Sequence, residues 1–191
     1  MKKLITSLVT SSPLSFTHSL ILAVLIVASP GLSLFVVAST LPQQAAAQGV
    51  IYAATNDNEL MWYRHDGRGD GSFRWTGPKK VGNGWNFKQI FSGGDGVVYG
   101  ITNSGDLMWY RHDGRGDGSF RWTEPKKVGN GWDFKQIFSG GGGVIYGITN
   151  SGDLMWYRHD GYADGSFRWT GPKKVGNGWD FKDIFADEPG S

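Results

Sequence analysis

From residue 49 onward the chain is built of short runs in which large apolar and polar side chains trade places, each closed by a glycine-rich turn. Gly96-Val97-Val98-Tyr99-Gly100-Ile101-Thr102 is β-branched and aromatic and stops at the turn cluster Asn103-Ser104-Gly105-Asp106, which predicts a strand and a hairpin turn. Leu107 to His112 sets Leu107, Trp109 and Arg111 against Met108, Tyr110 and His112. Bulk on both faces is expected of a strand in a sheet packed between two other sheets. Asp113 to Gly118 holds three glycines in six residues and cannot be regular. Phe120-Arg121-Trp122-Thr123 then predicts a third short strand closed by Pro125, because proline cannot donate to a sheet ladder. Phe134-Lys135-Gln136-Ile137-Phe138 predicts a fourth, bounded by Gly129-Asn130-Gly131 and Ser139-Gly140-Gly141. No stretch sustains a helical period.

The pattern recurs. Trp62, Trp109 and Trp156 are spaced by 47, as are Trp75, Trp122 and Trp169, and Trp85, Trp132 and Trp179. A fixed period of this length marks a solenoid, propeller or array, and four short antiparallel strands per repeat is the size of a propeller blade. The expected fold class is therefore all-β, a β-propeller of 47-residue four-stranded blades, with repeats at about residues 49–95, 96–142 and 143–189. The first blade lacks a strand that Phe181 to Phe185 has to spare, and joining the two removes exposed sheet edges. Three blades are few, since propellers close with roughly four to eight. The expectation is a ring completed by another chain, two copies supplying six blades; a remnant of a longer gene is the alternative.

Composition changes the picture at one end. Lys2 and Lys3 are the only basic residues of 19 before Gln48, and all 17 acidic residues follow it, so the repeat body is electrically balanced. A balanced body lacks the positive field that phosphate binding needs, which argues against nucleic acid. The two lysines, the apolar run Leu20 to Ala28 and Ala45-Ala46-Ala47 follow the three-part plan of a secretory signal over residues 1–47, cleaved after Ala47. A retained anchor is the alternative, because Ser19 to Ser39 is uncharged and about long enough to span a bilayer. Either way the repeat domain, residues 48–191, is expected to be secreted or extracytoplasmic. With no cysteine in the chain, disulfides, thiolate metal sites and a thiol nucleophile drop out.

Val-Gly-Asn-Gly-Trp followed by Phe-Lys-x-Ile-Phe, then Gly-Val-Ile-Tyr-Gly-Ile, then Asp-Leu-Met-Trp-Tyr-Arg-His-Asp-Gly resembles the tachylectin-2 family of β-propeller lectins, in particular its bacterial relatives. The resemblance covers residues 49–185. It implies a five-bladed propeller binding N-acetylated sugars, such as N-acetylglucosamine and N-acetylgalactosamine, at equivalent pockets between neighbouring blades. Three repeats depart from five, which bears on closure and on the number of sites.

Sugar recognition takes an aromatic plate for the apolar face of the ring and a few fixed planar donors and acceptors. Asn83-Gly84-Trp85, Asn130-Gly131-Trp132 and Asn177-Gly178-Trp179 join an amide to an indole across a glycine, and Asn86, Asp133 and Asp180 follow as acceptors. The resemblance places the family's pocket at the segment leading into the innermost strand, which these positions match. The competing reading makes these tryptophans blade core and the asparagines turn residues. His65, His112 and His159 each precede an aspartate. Neighbours on a strand point to opposite faces, so a His oriented by its adjacent carboxylate is not expected; a rim contact to sugar is the residual role.

No metal, cofactor or catalytic residue is expected. Asp113, Asp117, Gly118 and Glu124 echo a calcium loop, yet Arg115 sits where a ligand belongs and other copies have Gly77 and Gly171 for Glu124. Arg68-Gly69-Asp70 is lost in the third copy as Tyr162-Ala163-Asp164. Asp70-Gly71-Ser72-Phe73-Arg74-Trp75 looks faintly like a sialidase Asp-box but reads better as a turn and a buried aromatic. A glycosidase needs two carboxylates flanking one bond, and repetition singles out no such pair. Repetition favours binding: a multivalent lectin for glycans with N-acetylated sugars, acting as a homo-oligomer, or else a non-catalytic protein-binding or structural propeller.

Overall fold

The computed structural model describes residues 49–186; the expected leader over residues 1–47 lies outside the described residues. Among the described residues eleven strands form three antiparallel sheets. The first contains β1 (Val50–Ala54), β2 (Leu60–His65) and β3 (Trp75–Gly82) in that order. The second runs β4 (Gln89–Gly94), β5 (Val97–Ile101), β6 (Leu107–His112) and β7 (Trp122–Gly129). The third repeats it with β8 (Gln136–Gly141), β9 (Val144–Ile148), β10 (Leu154–His159) and β11 (Trp169–Gly176). These are propeller blades, each a meander of consecutive strands, and β4 lies beside β8.

Register shows how closely the copies agree. Tyr52 faces Trp62, Tyr99 faces Trp109 and Tyr146 faces Trp156. The strand Phe134 to Phe138 anticipated within the second repeat forms as β8 at Gln136–Gly141 and pairs with β9 of the following sheet, Phe138 opposite Tyr146. The third strand is longer than expected. β7 begins at Trp122, runs through Pro125 and ends at Gly129, its ladder interrupted by irregularities between Leu107 and Met108 and between Trp109 and Arg111. It is the outermost strand, so the missing proline N–H costs no ladder bond on its open side. The strand expected at Phe181 to Phe185 is not formed: among the described residues no strand pairs with it, and an unpaired strand leaves its backbone groups unsatisfied.

The core lies between the sheets. Leu60, Trp62, Val81, Trp85 and Val98 form one buried cluster. Val97, Tyr99, Ile101, Leu107, Trp109, Val128, Trp132 and Ile145 form another. The second and third sheets each clasp the preceding one through the loop between their third and fourth strands. Residues 113–119 of the second sheet lie on Trp62 of the first, whose indole N–H donates to the Arg115 carbonyl at 2.9 Å, while Arg64 donates to Gly116 at 2.7 Å and Lys79 to Asp117 at 2.6 Å. The third sheet repeats these bonds on Trp109, Arg111 and Lys126 through the carbonyls of Tyr162, Ala163 and Asp164. Lys79 and Lys126 also sit 5.6 and 5.7 Å from the centres of the Trp62 and Trp109 rings, close enough for cation–π attraction.

Candidate carbohydrate site

The segment joining the outermost strand of one blade to the innermost strand of the next turns a corner at Asn-Gly-Trp. Gly131 has φ of 70°, a conformation that costs side-chain-bearing residues energy, and a Cβ there would meet nothing within 4 Å. The corner is held from beneath: the backbone N–H of Trp132 donates to the Gly105 carbonyl at 2.9 Å, with Trp85 on Asn58 and Trp179 on Gly152 doing the same. Glycine therefore takes the left-handed position and leaves Asn83, Asn130 and Asn177 exposed.

The indoles are less open than their neighbours. Trp85 and Trp132 are each only 6% exposed. Trp132 lies 4.8 Å from Tyr157 and 5.3 Å from Trp169 of the third sheet, and Trp85 stands in the same relation to Tyr110 and Trp122. Their faces are occupied by blade-to-blade packing. Trp179, with only Phe181 against it among the described rings, is half-buried.

The carboxylates that follow are at the surface and paired. Lys88 donates to Asp133 at 2.7 Å, and Lys135 is bonded to Asp180. Each lysine belongs to the preceding corner, so the corners stand side by side. The ammonium beside each acid holds Asp133 and Asp180 below the usual carboxylate range. Exposed pairs of this kind contribute little to stability, and what they fix is the position of an acceptor and a donor. Asn86 occupies the same place at the first corner and is exposed. Residue patterns gave no hint of the lysines, because their partners lie 45 positions away.

His112 and His159 sit elsewhere, 2% and 1% exposed. His112 stacks on Trp122 at 4.3 Å, and its Nε2 meets the Ser119 carbonyl at 2.9 Å. A carbonyl can only accept, so Nε2 carries the hydrogen and Nδ1 accepts from the Tyr52 hydroxyl at 2.7 Å. Tyr99 and His159 repeat the pair at 2.8 Å. Burial pushes both imidazoles below their ordinary value and both tyrosines upward. His65 stacks on Trp75 and bonds the Ser72 carbonyl but remains half-exposed.

The lowered imidazole values set a sign. The fold prefers His112 and His159 uncharged, so this stabilisation is full above the imidazole's unfolded range and is lost as acid protonates the unfolded chain first. The melting temperature is expected to fall between pH 7 and pH 5. The double variant His112→Gln, His159→Gln starts lower and has a flatter profile over that range; an unchanged slope contradicts the assignment.

A second repeated surface lies at the opposite end of each sheet. Phe73, Phe120 and Phe167, anticipated as strand or buried aromatic, are 95%, 61% and 66% exposed. Asp117 nearby accepts from the backbone and side chain of Ser119, which lowers its carboxyl to about 2.

The family model described as Tachylectin matches residues 43–191. No curated protein and no solved structure matches the chain.

Proposed function

The chain belongs to the tachylectin family, and from that premise we propose a secreted, multivalent lectin that binds N-acetylated sugars, one per corner, and works as a homo-oligomer outside the cytoplasm. The observation that carries this reading is the repetition of one surface. Asn83, Asn130 and Asn177 stand exposed beside an open glycine, and Asn86, Asp133 and Asp180 stand exposed one residue beyond the indole. An amide offers both donor and acceptor, and a carboxylate accepts from two hydroxyls. With Lys88 and Lys135 they make a rigid polar frame for a pyranose and its acetamide. Trp85 and Trp132, packed beneath, serve as the floor that fixes this frame.

Several weak contacts presented together gain affinity through effective concentration, and a glycan-coated surface supplies the matching array. The secretory reading of residues 1–47 puts the corners where such surfaces are. Agglutination of glycan-bearing cells is the expected activity, abolished by free N-acetylglucosamine or N-acetylgalactosamine and not by glucose. Agglutination indifferent to every N-acetylated sugar, or none at all, rejects this specificity.

A further inference from the structure

We infer that the surfaces left uncovered by the described residues at the two ends of the blade array are the halves of one contact, and that a second copy of this chain occupies each, head to tail. The chain makes this contact twice within itself, between its first and second sheets and between its second and third.

The uncovered face of the third sheet is the receiving half. Val81 and Val128 are fully buried beneath the following sheet, whereas Val175 is 52% exposed. The carbonyls of Val81 and Val128 accept the indole N–H of Trp122 and Trp169 at 2.6 and 2.7 Å. Trp156 is half-buried where Trp62 and Trp109 are sealed. Trp179 lacks, among the described residues, the tyrosine and tryptophan that flank Trp85 and Trp132.

The first sheet carries the inserting half. Trp75, counterpart of Trp122 and Trp169, is 41% exposed. A Cβ on Gly118 or Gly165 would come within 2.5 Å of the Trp62 or Trp109 ring, while one on Gly71 would meet nothing within 4 Å. Shifted by the repeat, the internal contact sets Gly71 of one copy on Trp156 of another, and Trp75 between Trp179 and the Val175 carbonyl.

The sheet edges agree. Among the described residues β1 has no strand on its inner side, where β5 has β4 and β9 has β8. The register Gln89 to Ile101, Ile90 to Gly100 and Phe91 to Tyr99 carries over to Asp183 opposite Ala54, Ile184 opposite Ala53 and Phe185 opposite Tyr52. Phe91 stacks on Tyr99 at 5.2 Å and Phe138 on Tyr146 at 5.3 Å, but Phe185 is 86% exposed. Gln136 already holds this segment, its amide donating to the carbonyls of Phe181 and Lys182 at 3.0 and 2.7 Å. The corner at Asn177 to Asp180 then gains the neighbouring blade that the other two corners have, so the third sugar site of the proposed lectin is completed by the partner copy.

A head-to-tail contact closes into a ring of copies when its rotation allows, and sedimentation of the full chain reads it without any sugar. The wild type is expected to run as a multiple of the chain mass. Val175→Arg blocks only the receiving face and Trp75→Glu only the inserting face. Each should run as a single copy with an unchanged far-ultraviolet spectrum, its association weakened about a hundredfold or more because a charge is forced into an apolar contact. Mixed in equal amounts the two variants should form a two-copy species, since each retains the half the other has lost. Phe185→Asp, at a side chain outside the core, tests the added strand if Val175→Arg fails to fold. A single-copy wild type, a mass unmoved by either variant, or a mixture that stays monomeric overturns the assignment. A lectin that is monomeric would lose this contact and keep its sugar, and an oligomer blind to sugar the reverse.

Discussion

Trp109→Ala is expected to destabilise the domain by about 3–5 kcal/mol, the range for removing a large buried aromatic. Trp109 is fully buried, donates to the Tyr162 carbonyl at 2.9 Å and carries the loop of the next blade on its face. The substitution leaves a cavity between sheets and an acceptor without its donor. Trp156→Ala, the same residue one repeat on, should cost less than half as much in the single-copy Val175→Arg background, because its indole is half-exposed there. Urea unfolding of the two variants checks the ratio, and equal losses would mean that the loop-on-indole clasp is not what stabilises the blade contact.

The second large effect separates backbone conformation from packing. Gly118 and Gly131 have nearly the same φ, 68° and 70°, so alanine meets the same conformational cost at both, about 1–2 kcal/mol. At Gly131 the new methyl enters open space, and at Gly118 it lies 2.5 Å from a carbon of the Trp62 ring. Overpacking adds about 1–3 kcal/mol, so Gly118→Ala should lose roughly 2–5 kcal/mol in all and Gly131→Ala only the conformational part. Thermal or urea unfolding of the pair reads the difference directly. Equal destabilisation would show that the loop can lift from the indole freely.

Much of the fold was legible because its information is periodic. Three tryptophans at one spacing define the repeat, and the alternation from Leu107 to His112 locates β6 with its observed bounds. What spacing does not carry is which strand pairs with which. The strand around Gln136 to Phe138 was visible, yet its ladder is with β9. The extension of β7 past Pro125 was hidden for a related reason: proline ends a strand only where its N–H is needed, and that depends on which edge of the sheet it occupies.

The candidate site divides along the same line. Asn-Gly-Trp as a tight corner follows from local chemistry, and the glycine does take the left-handed position. The covering of Trp132 by Tyr157 and Trp169 is contributed by the next blade and has no local signature. Neither has the seating of His112 under Tyr52, 60 residues away. Phe120 departs in the other direction: the residue pattern places it at the start of the third strand, but β7 starts only at Trp122 and leaves Phe120 exposed in the bend before it. The exposed asparagines and acids are what remain to meet a ligand at the corners.

Titration of N-acetylglucosamine and N-acetylgalactosamine into the wild type and into the triple variant Asn83→Ala, Asn130→Ala, Asn177→Ala puts that account to its most direct test. These side chains are exposed, so the variant should melt with the wild type. Saturable binding of at least one of the two sugars to more than one site per chain is expected in the wild type and its loss in the triple variant; undiminished affinity in a variant that folds normally would contradict the assignment of sugar to the corners.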